Sequence, residues 1–146
     1  MKKYLLFIAL LSAIFLPGCS NLPENQAELK LKIGQKDYLL EKAENQEQKE
    51  KGLMNRNTLA SSEGMIFYFE KADYLDFWMK NTLIPLQIIF INGCKIIDIQ
   101  EMSVEPDLAQ PEKKYISKEP ADKAIELNPQ SISQDMIGGE IEQLCQ

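Results

Sequence analysis

The residues best equipped for chemistry cluster in Asp76-Phe77-Trp78-Met79-Lys80-Asn81-Thr82, with Arg56 upstream in Asn55-Arg56-Asn57. Alternation along an extended chain sends Leu75, Phe77 and Met79 to one side and Asp76, Trp78 and Lys80 to the other. The first set suits a core. The second can line a groove, with Trp78 as an apolar wall bearing one N–H donor and Lys80 as a cation at its edge. Trp78 can equally serve as a core aromatic. Asn81 and Thr82 then fall in a turn, where an amide and a hydroxyl either hold the backbone or meet a ligand. Arg56 can clamp a ligand carboxylate, or it can pair internally with Glu63 or Glu70.

The chain contains no histidine, which excludes Ser-His-Asp and Cys-His catalysis and zinc sites built on imidazole. An enzyme would have to use a pair such as Lys80 and Asp76, and acid–base work by that pair needs shifted pKa values. No catalytic set and no cofactor site emerges from the residue pattern. Met54, Met65 and Met79 carry thioethers that suit copper, but their apolar neighbours favour gap-filling in a core, so no metal is expected. Asp98, Glu101, Glu105 and Asp107 lack calcium-loop spacing and read as a solvated loop. Cys94 and Cys145 either form a disulfide or remain two structural thiols.

The start of the chain gives an address. Lys2-Lys3, an apolar run from Leu5 to Leu16, and Leu16-Pro17-Gly18-Cys19 follow the charged, apolar and cleavage regions of an export signal. The run covers about 18 Å as a helix, short of the ~30 Å hydrocarbon layer. Residues 1–18 therefore read as a bacterial lipoprotein signal. Cleavage would make Cys19 the N-terminus and its thiol the carrier of a lipid, with a second acyl group on the freed amine completing a two-chain anchor. Ser20 stands where a Gram-negative inner-membrane retention signal would place Asp, so the outer membrane, facing the periplasm, is the expected destination in such an organism. The formal net charge is −6 and becomes more negative once Lys2 and Lys3 are removed. That balance disfavours nucleic acid and anionic lipid as partners, leaving lipid on Cys19 as the contact with the membrane.

Residues 19–27 read as a polar tether, and 28–146 as a single β-rich domain. Leu29, Leu31 and Ile33 alternate with lysines as in a half-buried strand, Gly34-Gln35 turns, and Asp37 to Ala43 pairs back. Asn45 and Gln48 form a capping-box pattern for a helix that Gly52 ends. Met65–Phe69 and Leu75–Met79 read as strands. Leu86–Ile91, Asn92-Gly93 and Cys94–Ile99 predict a hairpin with a type I′ turn, and the first of these strands, apolar on both faces, belongs in the middle of a sheet. Ser103 to Glu112 is a proline-bearing loop. Lys123–Leu127 reads as a strand, Asn128-Pro129 opens a short helix that Gly138-Gly139 stops, and Ile141–Leu144 can close the sheet. Short strands with turn signals and two short helices predict a compact antiparallel β-barrel or sandwich.

Gly52-Leu53-Met54-x-Arg56, Gly64-Met65-x-Phe67, Phe77 to Leu86, Tyr115-x-Ser117 and Pro120-Ala121 together resemble the family known as domain of unknown function 192. The resemblance runs from about Leu29 to Leu144. It implies a compact, mostly β domain, often exported or lipid-anchored, with no established reaction, and it marks these motifs as a functional surface. The chain departs at Gln87, where the family pattern usually has Asp; an amide oxygen there still accepts a hydrogen bond.

Three function classes follow. The first is a non-enzymatic envelope module that binds a small molecule or peptide near Trp78, with Arg56, Lys80, Asn81 and Thr82 as further ligand-binding candidates. The second is a structural or assembly lipoprotein that recognises another envelope protein through a flat patch. The third is the histidine-independent enzyme. Convergence of the candidate residues on one cavity favours the first class.

Overall fold

Alternation at Leu29, Leu31 and Ile33 produces β1 (Glu28–Ile33), and Gly34 at φ 61° turns it back into β2 (Lys36–Ala43). The computed structural model describes residues 27–145. The leader, Cys19 and most of the tether lie outside the described residues.

Six strands form one sheet in the order β1-β2-β3-β8-β5-β6, with β3 at Glu63–Asp73, β5 at Leu86–Asn92, β6 at Lys95–Met102 and β8 at Ala121–Leu127. A second sheet of two short strands pairs β4 (Asp76–Phe77) with β7 (Tyr115–Ile116). The fold is mainly β and sandwich-like, without a closed barrel. Its main sheet is mixed and not antiparallel throughout, because β2 and β3 run parallel. α1 (Gln46–Lys51) lies in the connection that a parallel pair requires. β5 is buried on both faces between β8 and β6.

Apolar side chains fill both faces of the main sheet. One face gathers Leu31, Leu40, Ile66, Ile89, Ile125 and Leu127 under Ile132, Ile141 and Leu144 of the C-terminal segment. The other gathers Met65, Phe67, Ile88, Phe90 and Ala124 under Leu53, Leu75 and Met79. Gly64 permits the close approach of β2 and β8 around β3. A Cβ there would stand 2.6 Å from Leu127 Cδ2 and collide with the Glu126 carbonyl oxygen.

Several expectations are corrected. The hairpin loop is Gly93-Cys94, since Asn92 pairs with Lys95, and only Gly93 has positive φ, at 61°. A loop with glycine first fits the sheet twist as a type II′ turn does, and one extra residue at Ile97 absorbs the shift in register. Residues 128–139 form turns and a single 3-10 turn, Gln134–Met136, in place of the expected short helix. Their packing against the sheet, with Ile132 buried, and short i→i+3 hydrogen bonds fix the chain in place of an α-helical ladder. Glu142–Leu144 is likewise a 3-10 turn and not a closing strand; only Glu140 bridges to Lys95. The strand read at Leu75–Met79 is reduced to Asp76–Phe77 because its partner β7 is two residues long. Asp98 belongs to β6 and is fully buried, held by Lys118 at 2.8 Å, Gln100 at 2.6 Å and the Ile99 N–H at 2.9 Å. A paired carboxylate can occupy a strand, so Asp98 is not part of a solvated loop.

Candidate functional site

α1 begins with the capping box: the Gln48 N–H donates to Asn45 Oδ1 at 2.8 Å, and the Asn45 N–H donates to Gln48 Oε1 at 3.2 Å. It ends at Gly52, whose φ of 46° and ψ of −134° bend the chain down onto the sheet. Leu53 is thereby buried in the core while Met54 stays half-buried beside a cleft. The cleft has a volume of about 270 Å³, at the small end of the range for small-molecule sites. Lys49 and Lys51 of α1 stand on one side and Trp78 on the other, with Phe67, Phe69 and Phe77 as its aromatic walls.

Phe77 organises those walls. Its ring meets Phe67 edge-on at 5.0 Å, Phe90 at 5.8 Å and Phe69 at 6.4 Å. Phe77 is in turn held by β7, where Tyr115 is buried, and just past that strand Ser117 Oγ accepts the Leu75 N–H at 3.0 Å. Trp78 follows on the opposite side of the strand. It is 40% exposed and so is a wall at the mouth and not a core residue. Lys114 lies 4.5 Å from the Trp78 ring and pairs with Asp76 at 3.4 Å; Lys80 lies 5.1 Å from the same ring.

The candidate residues separate by role. Trp78 and Thr82 line the cleft. Asn81 is at positive φ and ties three loops together, its carbonyl accepting the Asn55 N–H at 2.8 Å and its N–H donating to Leu108 O at 2.6 Å. Thr82 Oγ1 donates to the Lys80 carbonyl at 3.1 Å, which fixes the turn after Trp78. Asp76 is paired with Lys114, and Lys80 rests on Trp78, so the two are not each other's partners. Arg56 makes a two-pronged ion pair with Glu41, one arm at 2.6 Å, and not with Glu63 or Glu70. Glu41 is presented from β2 and takes both arms of the guanidinium, while Glu63 acts on Arg56 only through its charge. Met65 and Met79 are buried among apolar side chains.

The group that the sequence did not single out is Glu126. It lies on β8 opposite Met65, which itself lies opposite Glu41 of β2, so one row across three strands runs Glu41, Met65, Glu126. Its neighbours Ile125 and Leu127 face the other side of the sheet, leaving its carboxyl at the base of the cleft. Glu126 is only 5% exposed, and its carboxyl borders the cleft, through which solvent reaches it. Burial raises its pKa to about 8, against a smaller opposing pull from the Arg56 charge. At neutral pH it is therefore mostly the protonated acid, a hydrogen-bond donor facing the cleft.

Elsewhere, Gln87 is buried on the far face and makes a reciprocal amide pair with Ile132, its Nε2 donating to the carbonyl at 2.9 Å and its Oε1 accepting the N–H at 2.8 Å. The residue that departs from the family pattern thus braces the C-terminal segment and does not touch the cleft. Cys94 and Cys145 are joined in a disulfide with Cα atoms 4.8 Å apart. Glu140 lies close to both sulfurs, but their bond leaves no thiolate for a metal. No helix among the described residues is long and apolar enough to cross a membrane.

Comparison with known structures finds a Sinorhizobium meliloti 1021 protein described as "a putative transcription regulator". It is 30% identical with a TM-score of 0.65, over 77% of this chain and 89% of that one. A Novosphingobium aromaticivorans DSM 12444 protein of unknown function is 27% identical with a TM-score of 0.57, over 82% of this chain and 78% of that one. No functionally curated protein matches. The motifs that surround the cleft all lie within residues 29–140, the span matched by the model of the DUF192 family, "Uncharacterized ACR", and the chain belongs to that family.

Proposed function

We propose that the protein is a lipid-anchored module of the bacterial envelope that holds a small molecule in the cleft above Glu126 and does not chemically alter it. The observation that carries this reading is the Glu126 carboxyl, 5% exposed, facing an aromatic-walled cleft. Holding a carboxyl there costs folding free energy, since burial penalises its ionised form. A ligand that reaches Glu126 recovers that cost. The family motifs support the same place: Gly52, Leu53, Met54, Phe67, Phe77 and Trp78 all border it.

Anchoring rests on the leader and Cys19, with the outer membrane facing the periplasm as the destination in a Gram-negative cell. A binding role is favoured over catalysis because Asp76 and Lys80, the acid–base pair suggested by the sequence, are engaged with Lys114 and Trp78 respectively. The assembly alternative draws support from two exposed apolar side chains, Ile116 on the small sheet and Tyr74 in the segment that leads into it. The test is a thermal-shift screen of envelope metabolites against the full-length protein and Trp78→Ala. A cleft ligand at a hundredfold its Kd stabilises the parent by about 2.7 kcal/mol and the variant far less. Equal stabilisation of both proteins places the ligand elsewhere and removes the reading.

A further inference from the structure

We propose that the cleft selects an organic cation, a molecule whose ammonium group enters first and seats on Glu126 while its apolar body lies between Phe67, Phe77 and Trp78. This inference rests on the cleft being a binding site and names the class of ligand it takes.

Three observations converge on it. The Glu126 carboxyl, 5% exposed, borders the cleft and forms no ion pair among the described residues, so an entering ammonium can replace water there and supply the balancing charge. The walls beside it are aromatic, and ring faces attract cations. The protein already uses the outer rings in this way: Lys49 lies 4.9 Å from Phe69 and Lys114 4.5 Å from Trp78. The ring of Phe67, beside Gly52 at the base, carries no such lysine among the described residues.

The charges around Glu126 are compatible with this selection. Arg56, whose charge acts on Glu126, is bound by Glu41, and Lys114 is bound by Asp76. Lys49, Glu50 and Lys51 stand at the mouth, where water screens them. They repel an approaching cation weakly and suit a ligand with an anionic trailing end. A carboxylate-first ligand can accept the proton of neutral Glu126 in one hydrogen bond but gains no opposite charge from it, and an acid probe separates the two cases.

The proposal is tested with three probes of similar shape, 2-phenylethylamine, 2-phenylethanol and 3-phenylpropionate, titrated into the full-length protein by calorimetry at pH 7. The amine is expected to bind about tenfold or more tightly than the alcohol, and the acid weakest. Glu126→Gln should abolish the preference for the amine while leaving binding of the alcohol in place. Titrations in two buffers of different ionisation heat add a measurement on the unaltered protein: the amine should release close to one proton as Glu126 ionises, and the alcohol none. Binding of the alcohol or the acid as tightly as the amine overturns the cation selection and leaves the cleft as a binding site. An amine preference that survives Glu126→Gln also overturns it. Failure of all three probes to bind overturns both readings together.

Discussion

Gly52 lies over the Glu126 carboxyl: a Cβ on Gly52 would stand 3.8 Å from Glu126 Oε2 and 3.6 Å from Phe67 Cζ. The end of the only α-helix among the described residues is thus the roof over the buried acid. Its φ of 46° with ψ of −134° is a conformation that side chains resist. Gly52→Ala should lower stability by about 1 to 3 kcal/mol, read as a shift in denaturant midpoint at unchanged slope. An unchanged midpoint would mean that the helix end is not constrained as described.

Glu126 gives folding a distinctive pH dependence. Its folded-state pKa of about 8 lies above the ordinary 4.5, so between these values the folded chain holds a proton that the unfolded chain has released. Its contribution is most favourable below about pH 4.5, declines as pH rises and levels off above about pH 8. The cost at pH 7 is on the order of 3 kcal/mol. Glu126→Gln should therefore exceed the parent in stability at pH 7 by a few kcal/mol and match it near pH 4, as urea titrations at the two pH values will show.

Arg56 and Glu41 form a two-pronged pair with side chains 30% and 25% exposed. Arg56→Ala should cost about 1 to 2 kcal/mol, discounted for this partial exposure, and Arg56→Lys should recover only part because a lysine lacks the fork. Removing the Arg56 charge should also move the Glu126 titration further upward, since that charge now opposes the shift. A Glu126 titration indifferent to Arg56→Ala would show that the two groups are not neighbours in the sense described.

Trp78 is a wall of the cleft, and Lys80 rests on its outer face. Trp78→Phe should keep the fold and weaken ligand capture, because a phenyl ring retains much of the apolar body but loses the N–H and stacking area. Lys80→Ala should change stability by less than about 1 kcal/mol. Melting and binding measured on both variants check this; a strongly destabilised Trp78→Phe would return the residue to a purely structural role.

The Cys94–Cys145 disulfide closes a loop of sequence separation 51, and the chain-entropy model assigns such a loop about 4 kcal/mol. Replacing both cysteines by serine should lower stability by about 2 to 4 kcal/mol and free the C-terminal 3-10 turn from the hairpin. Equal midpoints for the parent under oxidising and reducing conditions would contradict this.

Local signals were the legible ones. The capping box of Asn45 and Gln48, the turn glycines Gly34 and Gly93, and alternation at Trp78 are decided by a few adjacent residues, and the structure shows each close to where the sequence places it. Glu126 was illegible for a physical reason. Between Ile125 and Leu127 it has the pattern of an outward residue on a half-buried strand, and only the distant segment from Gly52 to Met54 covers that face. The parallel pairing of β2 with β3 is equally a long-range outcome, set by the crossover through α1. Arg56 found Glu41 in place of the acids nearer in sequence because β2 lies beside its loop in space.

The most direct measurement of the central claim is the carboxyl carbon shift of Glu126, followed by NMR across pH with and without 2-phenylethylamine. The free protein should titrate near pH 8, and saturating amine should move that titration down to or below the ordinary glutamate range. An ordinary glutamate titration in the free protein, unmoved by the amine, would contradict the account of a buried acid facing the cleft and ready for a ligand.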